Sequence, residues 1–103
     1  MEPLAKGGMV ARLAQGAADR GRVMALRRAA FPRVAGEEED AQDALSAHVM
    51  VEGEGRVLAS FRVMLFGWGA GLDQGYAARF YDVGPLAGYA KPIAEMGRFC
   101  VAP

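Results

Sequence analysis

Four charged side chains stand singly inside apolar segments of this 103-residue chain, and each is of a type that handles charge or protons. Arg27 lies in ADRGRVMALRRAAF (Ala18–Phe31). Helical spacing there aligns Val23, Leu26 and Ala30, with Met24 and Phe31 beside them. At ~100° per residue Arg27 falls in the middle of that stripe, and Arg28 falls outside it. An arginine on the buried side must pair or snorkel, since an unpaired buried charge is costly. Arg62 lies in VLASFRVMLF, where Val57, Ala59, Phe61, Val63 and Leu65 make one face. Leu58, Ser60, Met64 and Phe66 share the other face with Arg62. Both faces are apolar, so the strand is predicted to be covered on both sides, with Arg62 at a pocket or paired. Glu95 and Arg98 interrupt AEMGRFCV. Positions three apart point to opposite faces of a regular strand, but Gly97 between them offers a bulge that turns one around.

Asp40 and Asp43 supply the complementary charge. Two aspartates three apart lie on one side of a helical turn. They suit a helix cap, ion pairing with Arg27 or Arg62, or a cradle for a substrate amine. His48 opens a predicted strand and reads as a structural or hydrogen-bonding residue. With no second His or Cys pattern, a metal site is not expected. Cys100, the single cysteine, reads as a core thiol between Phe99 and Val101, and a lone cysteine excludes an internal disulfide. The sequence has no nucleophile elbow, phosphate loop or Cys–His dyad.

The elements that must position these residues follow in chain order. MVARLA (Met9–Ala14) reads as a first strand, and Ala18–Phe31 as a helix that Pro32 ends by biasing Phe31 out of the helical region. RVAGEEEDAQDALS reads as an acidic loop with a helical turn near Ala41–Leu45. AHVMVE and RVLASFRVMLF read as strands joined at GEG in a hairpin. GWGAGLDQGYA is loop, RFYDVGPL is short and irregular, and AEMGRFCV is the last strand. This order predicts an α+β domain with a mixed, mainly antiparallel sheet and a helix on one face, without internal repeats.

At 52% hydrophobic residues the composition is that of a globular chain, close to the smallest size that holds a core unaided. A lone cysteine fits a reducing, cytoplasmic setting, and no apolar run approaches the ~18 residues of a membrane span. Net charge is zero but unevenly spread. Residues 1–36 carry seven basic groups against two acids, and residues 37–55 carry seven acids and no Lys or Arg. The blocks suit a solvated helix beside an acidic loop. They also suit an Arg-rich surface (Arg20, Arg22, Arg27, Arg28, Arg33) that steers an acidic partner. A pI near 6.6 without aromatic–basic interleaving argues against nucleic acid.

Taken together, LRRAAF, the Asp40/Asp43 pair before a strand, the arginine of LASFRV and the closing EMGRFCV resemble the N-terminal half of the autoinducer-synthase-like acyltransferases of the GNAT superfamily. That family's pattern is R-x-x-x-F on the first helix, D-x-x-D in the next loop, an Arg on the third strand and E-x-x-R-F on the fourth. Within it, YDVGPL and GRFCVAP are similar to segments of the ornithine–acyl-carrier-protein N-acyltransferases, while QDALSAH keeps only Asp43 and His48 of that branch. The competing branch, the acyl-homoserine-lactone synthases, carries a tryptophan shortly after that phenylalanine, a neighbourhood in which this chain has Glu37.

The resemblance implies acyl transfer from an acyl-phosphopantetheine thioester, on acyl carrier protein or coenzyme A, to a small ornithine-like amine. Glu95 and Arg98 become the catalytic pair, and Arg27, Phe31, Asp40, Asp43 and Arg62 the substrate-binding residues, with no resident cofactor or metal. It implies an acidic carrier protein as partner, no nucleic acid, and a cytoplasmic location, free or peripheral to the inner membrane. It also implies one partial GNAT-like domain over residues 1–103 that stops before the donor-binding half. Such a chain is expected to be inactive alone, to be completed through its open sheet edge by another copy, or to serve as a binding module.

Overall fold

The computed structural model describes residues 2–31, 39–67 and 71–103. Pro32 as helix terminator, Arg33 and Glu37 lie outside the described residues, as does part of the loop after Gly67. A short strand not foreseen from sequence, β1 (Leu4–Lys6), turns through Gly7 and Gly8 into β2 (Met9–Leu13). Helix α1 (Gly16–Ala30) follows, then a 3-10 turn over Ala41–Leu45. Strands β3 (Ala47–Gly53) and β4 (Arg56–Phe66) form the expected hairpin. Three further 3-10 turns, Leu72–Gln74, Ala77–Arg79 and Gly84–Leu86, lead to β5 (Ile93–Val101). The strands lie in chain order, and every pairing among the described residues is antiparallel, so the sheet is less mixed than the sequence suggested.

Local chemistry explains where these elements begin and turn. Gln15 leaves the first turn of α1 without a side-chain cap, and Asp19 accepts the Gln15 backbone N–H at 2.8 Å instead. Arg12 on β2 then grips Asp19 and, with Arg22, Glu52 on β3, tying strand, helix and strand together at the surface. These ties hold the Asp19 carboxyl far below the usual range, chiefly through the Arg12 hydrogen bond. At the other end, the Phe31 N–H returns to the Arg27 carbonyl at 2.8 Å. The β3–β4 turn places Glu54 (φ 53°) and Gly55 (φ 74°) both in the left-handed region, the geometry that a two-residue hairpin needs.

Helix α1 lies against β3, β4 and β5 on one face of the sheet. Beneath it Val23, Met24, Leu26 and Met50 are buried, and Met64, Phe66 and Leu72 pack as a cluster at one end. Buried with them, however, are Arg27, Asp43, His48, Ser60 and Arg62. The opposite face is apolar and carries no second layer among the described residues, with Val49 buried and Phe61 and Val63 half-buried on it. Strand β4, expected to be covered on both sides, buries Ser60, Arg62, Met64 and Phe66 and leaves Leu65 74% exposed. The alternation was legible, but which faces receive a second layer depends on packing beyond the strand.

Candidate active site

Arg27 reaches the sheet from the buried stripe of α1 and is 1% exposed. Its Nη1 donates to Asp43 Oδ1 at 2.7 Å, and Asp43 is fully buried. Arg62, from the centre of β4, donates through Nη1 to Oδ1 of both Asp40 and Asp43, the latter at 3.1 Å. Arg98 donates through Nη2 to Asp40 Oδ2 at 2.9 Å. Three guanidiniums and two carboxylates from a helix, a turn and two strands thus form one chain of charge-assisted bonds.

The two aspartates also build the turn that presents them. Asp40 Oδ1 accepts the backbone N–H of Gln42 and Asp43 at 3.1 and 3.2 Å, while Asp43 Oδ2 accepts the N–H of Asp40 at 2.8 Å. This reciprocal capping box explains why the pair is spaced by three. Capping and ion pairing, which the sequence left as alternatives, both hold. Burial pushes the Asp40 carboxyl up, but its bond to Arg62 and the charges of Arg62 and Arg98 outweigh this and hold it below the usual range. Burial likewise opposes ionisation of Asp43 and is outweighed by Arg27, the Asp40 N–H and Arg62. Arg62 is shifted up, since its two carboxylate partners overcome the effect of burial.

His48 belongs to the same network. Its Nε2 lies 3.0 Å from the Asp43 carbonyl and must donate there, which leaves Nδ1 to accept from Arg27 Nη2 at 3.3 Å. Burial, then the charges of Arg27 and Arg20, lower its pKa, so the ring is neutral in keeping with these bonds.

Strand β5 carries the remaining groups, and a bulge aligns them. Arg62 pairs with Gly97 and Ser60 with Cys100, so Arg98 and Phe99 together oppose Phe61. Arg98 occupies the left-handed region at φ 53°. The extra residue turns Arg98 onto the helix side, where it meets Asp40; the bulge expected at Gly97 falls one residue later, since Gly97 keeps its register opposite Arg62. The Glu95 carboxylate accepts the backbone N–H of Tyr76 at 2.7 Å and of Ala77 at 3.1 Å, and so fastens the segment after Gly75 against β5. The Tyr76 ring lies 5.1 to 5.5 Å from the guanidinium carbons of Arg98, Arg79 and Arg62, in cation–π range of all three. Arg62, Tyr76, Ala77, Glu95, Met96, Gly97 and Arg98 enclose a pocket of about 290 Å³.

Arg27, Asp40, Asp43, Arg62 and Arg98 are therefore brought together, with Glu95 in the wall beside them. Phe31 is not: it is 37% exposed at the helix end. The Arg-rich surface also needs correction, because Arg27 is buried in the network, Arg22 pairs with Glu52 at 2.9 Å and Arg20 approaches Glu39 at 3.7 Å. Sequence reasoning missed Tyr76, whose place depends on a loop held by Glu95, and it missed the link from His48 to Arg27. Among the described residues no group of three or more His, Cys, Asp or Glu is placed to hold a metal ion.

Comparison with known proteins bears on this arrangement. Neither a curated protein nor a solved structure matches the chain significantly. A family model described as an acetyltransferase (GNAT) domain matches residues 20–103, which takes in α1 from Arg20 onward, the aspartate turn, β3, β4 and β5. An antiparallel α+β sheet under one helix, with the ionic network and pocket inside the matched span, agrees with that match: the chain belongs to the GNAT acetyltransferase domain family.

Proposed function

We propose that this N-acyltransferase-like domain moves an acyl group from an acyl-phosphopantetheine thioester, on acyl carrier protein or coenzyme A, to an amine of an ornithine-like amino acid. The observation that carries the reading is the pocket of about 290 Å³ in which Glu95 stands beside Arg62 and Arg98. An α-amino acid offers an ammonium and a carboxylate, and this wall offers a carboxylate, Glu95, and two guanidiniums, Arg62 and Arg98. The ornithine branch is favoured by the YDVGPL and GRFCVAP segments.

In this reading each Glu95 oxygen, already accepting one backbone N–H, keeps a second lone pair for the substrate ammonium. Glu95 takes one proton from the ammonium, directly or through a water, and frees the nitrogen lone pair for attack. The C–N bond forms at the thioester carbonyl, and the oxyanion is met by backbone N–H groups beside the Arg98–Phe99 bulge. Collapse breaks the C–S bond, the nitrogen, cationic after attack, gives its second proton to the departing sulfur so that it leaves as the thiol, and Glu95 returns its proton to water. Arg62 and Arg98 face the substrate carboxylate, while Arg27, Asp40 and Asp43 hold those guanidiniums in place. Phe31 enters as an acceptor-side contact through the resemblance alone. An acidic carrier protein would be steered by exposed basic residues such as Arg28.

The test mixes the purified chain with an acyl thioester, on carrier protein or on coenzyme A, and ornithine. Free thiol is followed in time and the N-acyl product is identified by mass. Amine-dependent thiol release that falls about 10²–10⁴-fold in Glu95→Gln supports the reading. A folded chain that binds ornithine without releasing thiol sinks the enzymatic assignment and leaves a binding module.

A further inference from the structure

Arg27, Asp43 and His48 close a cycle of hydrogen bonds beneath the helix. Arg27 Nη1 donates to Asp43 Oδ1 at 2.7 Å, His48 Nε2 donates to the Asp43 carbonyl at 3.0 Å, and His48 Nδ1 accepts from Arg27 Nη2 at 3.3 Å. The cycle closes for one tautomer of the neutral imidazole, since Nδ1 must keep its lone pair for Arg27. A proton on Nδ1 would set donor against donor and imidazolium against guanidinium. Both side chains are buried, so neither charge is relieved by water.

The groups around the imidazole agree with a neutral ring. From α1 it faces Arg27 and Arg20, which disfavour a proton there, and from the aspartate turn it faces Asp43, which favours one. On β4 its register partner is Arg62, and on β2 the adjoining positions are Leu13 and Ala14. Burial and the guanidiniums outweigh the carboxylate, so the ring takes up a proton only as pH falls below the ordinary ~6.5. Protons can reach it through a cavity of about 330 Å³ that His48, Ser46 and Arg20 line together with Gly16 and Ala17, both exposed.

The effect of that proton travels to the pocket through one oxygen. Asp43 Oδ1 is shared by Arg27 and by Arg62, whose Nη1 also bonds Asp40. Once Arg27 is driven off, the fully buried Asp43 keeps Arg62 of the two, and its uncompensated charge draws that guanidinium in. Arg62 is part of the pocket wall and stands over Tyr76. We infer that His48 is a positioning residue of the acceptor pocket: the neutral ring keeps Arg27 on Asp43 and so sets Arg62 for a substrate carboxylate, and the protonated ring releases both. This rests on the amino-acid reading of the pocket and adds the residue that makes acceptor binding fail in acid.

The test follows the ¹⁵N-labelled full chain by NMR from pH 7 to pH 5, beside calorimetric titrations with ornithine at each pH. Ordinary carboxylates titrate near ~4 and amines near ~8 or above, so the single histidine is the group that changes in this window. The Arg62 side-chain N–H signal should move with the same midpoint as the His48 ring nitrogens, and ornithine affinity should fall about tenfold through it. By reciprocity, saturating ornithine should lower the His48 midpoint by about one pH unit. His48→Gln, with no proton to gain, should show an Arg62 signal and an affinity that are flat across the window. Should His48→Gln fail to fold, the joint titration in the unaltered chain decides. An Arg62 signal that stays fixed while His48 titrates overturns the inference and leaves the amino-acid reading intact. Loss of the whole fold at the His48 midpoint, or a fall in affinity that persists in His48→Gln, also overturns it. A chain that binds no ornithine at any pH sinks the amino-acid reading, and the Arg62 signal then decides by itself whether His48 positions that side chain.

Discussion

Asp43 joins three parts of this protein: it completes the cap of a turn, pairs with Arg27 and shares Arg62 with Asp40. Removing one member of a buried ion pair leaves the other without compensation, at a cost of about 3–5 kcal/mol. Arg27→Ala should therefore lower unfolding free energy by about that amount, and Asp43→Ala by at least as much, since it also opens the cap. Denaturant titration measures both, and a loss within about 0.5 kcal/mol for Arg27→Ala would mean that the guanidinium had simply extended to water. His48 sets the pH response. Its folded pKa is lowered, so the unfolded chain binds the proton more readily. Stability should be full above the unfolded value near ~6.5 and decline as pH falls from there toward the folded value. Asp40 and Asp43 are lowered too, and add a second decline beginning below about 4. As His48 is the single histidine, His48→Gln should abolish the first decline and leave the second.

At the scale of elements, the bulge in β5 and the Glu95 latch do the positioning. A Cβ at Gly75 would lie 2.8 Å from Glu95 Oε2 and 3.2 Å from the Leu72 carbonyl. Gly75→Ala should push the carboxylate off the Tyr76 and Ala77 amides, speed hydrogen exchange at both, and cost about 1–2 kcal/mol. Unchanged exchange at those amides would show that the segment is held by other contacts. The elements also mark how far the sequence could be read. The Arg27 stripe position, the DxxD spacing and the glycine before Arg98 were legible because helix period, capping and bulges are local properties. β1 was not, since three exposed residues carry no pattern of their own. Tyr76 was not, since its place beside Arg62 and Arg98 exists only after Glu95 has folded the loop back.

For the molecule as a whole, the division of labour between the two sheet faces matters most. One face is occupied by a helix over a charged interior, and the other is apolar and open. The sequence showed both faces of β4 as apolar but could not show that one of them lacks a covering layer. Leu65→Glu, at a 74% exposed position, should leave the Arg62–Asp40–Arg98 network in place and change the unfolding free energy by no more than about 0.5 kcal/mol in denaturant titration.

The seating of Cys100 gives the protein a built-in clock. This thiol, 7% exposed and 3.3 Å from Ser60 Oγ, lies on β5 against β4. No other cysteine competes for a thiol reagent. Its rate of reaction with an aromatic disulfide, divided by the rate for the unfolded chain, reports how often β5 parts from β4. Opening only the edge strand, or the whole domain, can be told apart by adding denaturant: the first leaves the rate nearly flat and the second raises it steeply. The strand that carries Glu95 and Arg98 can thus be timed in its departures without any substrate present.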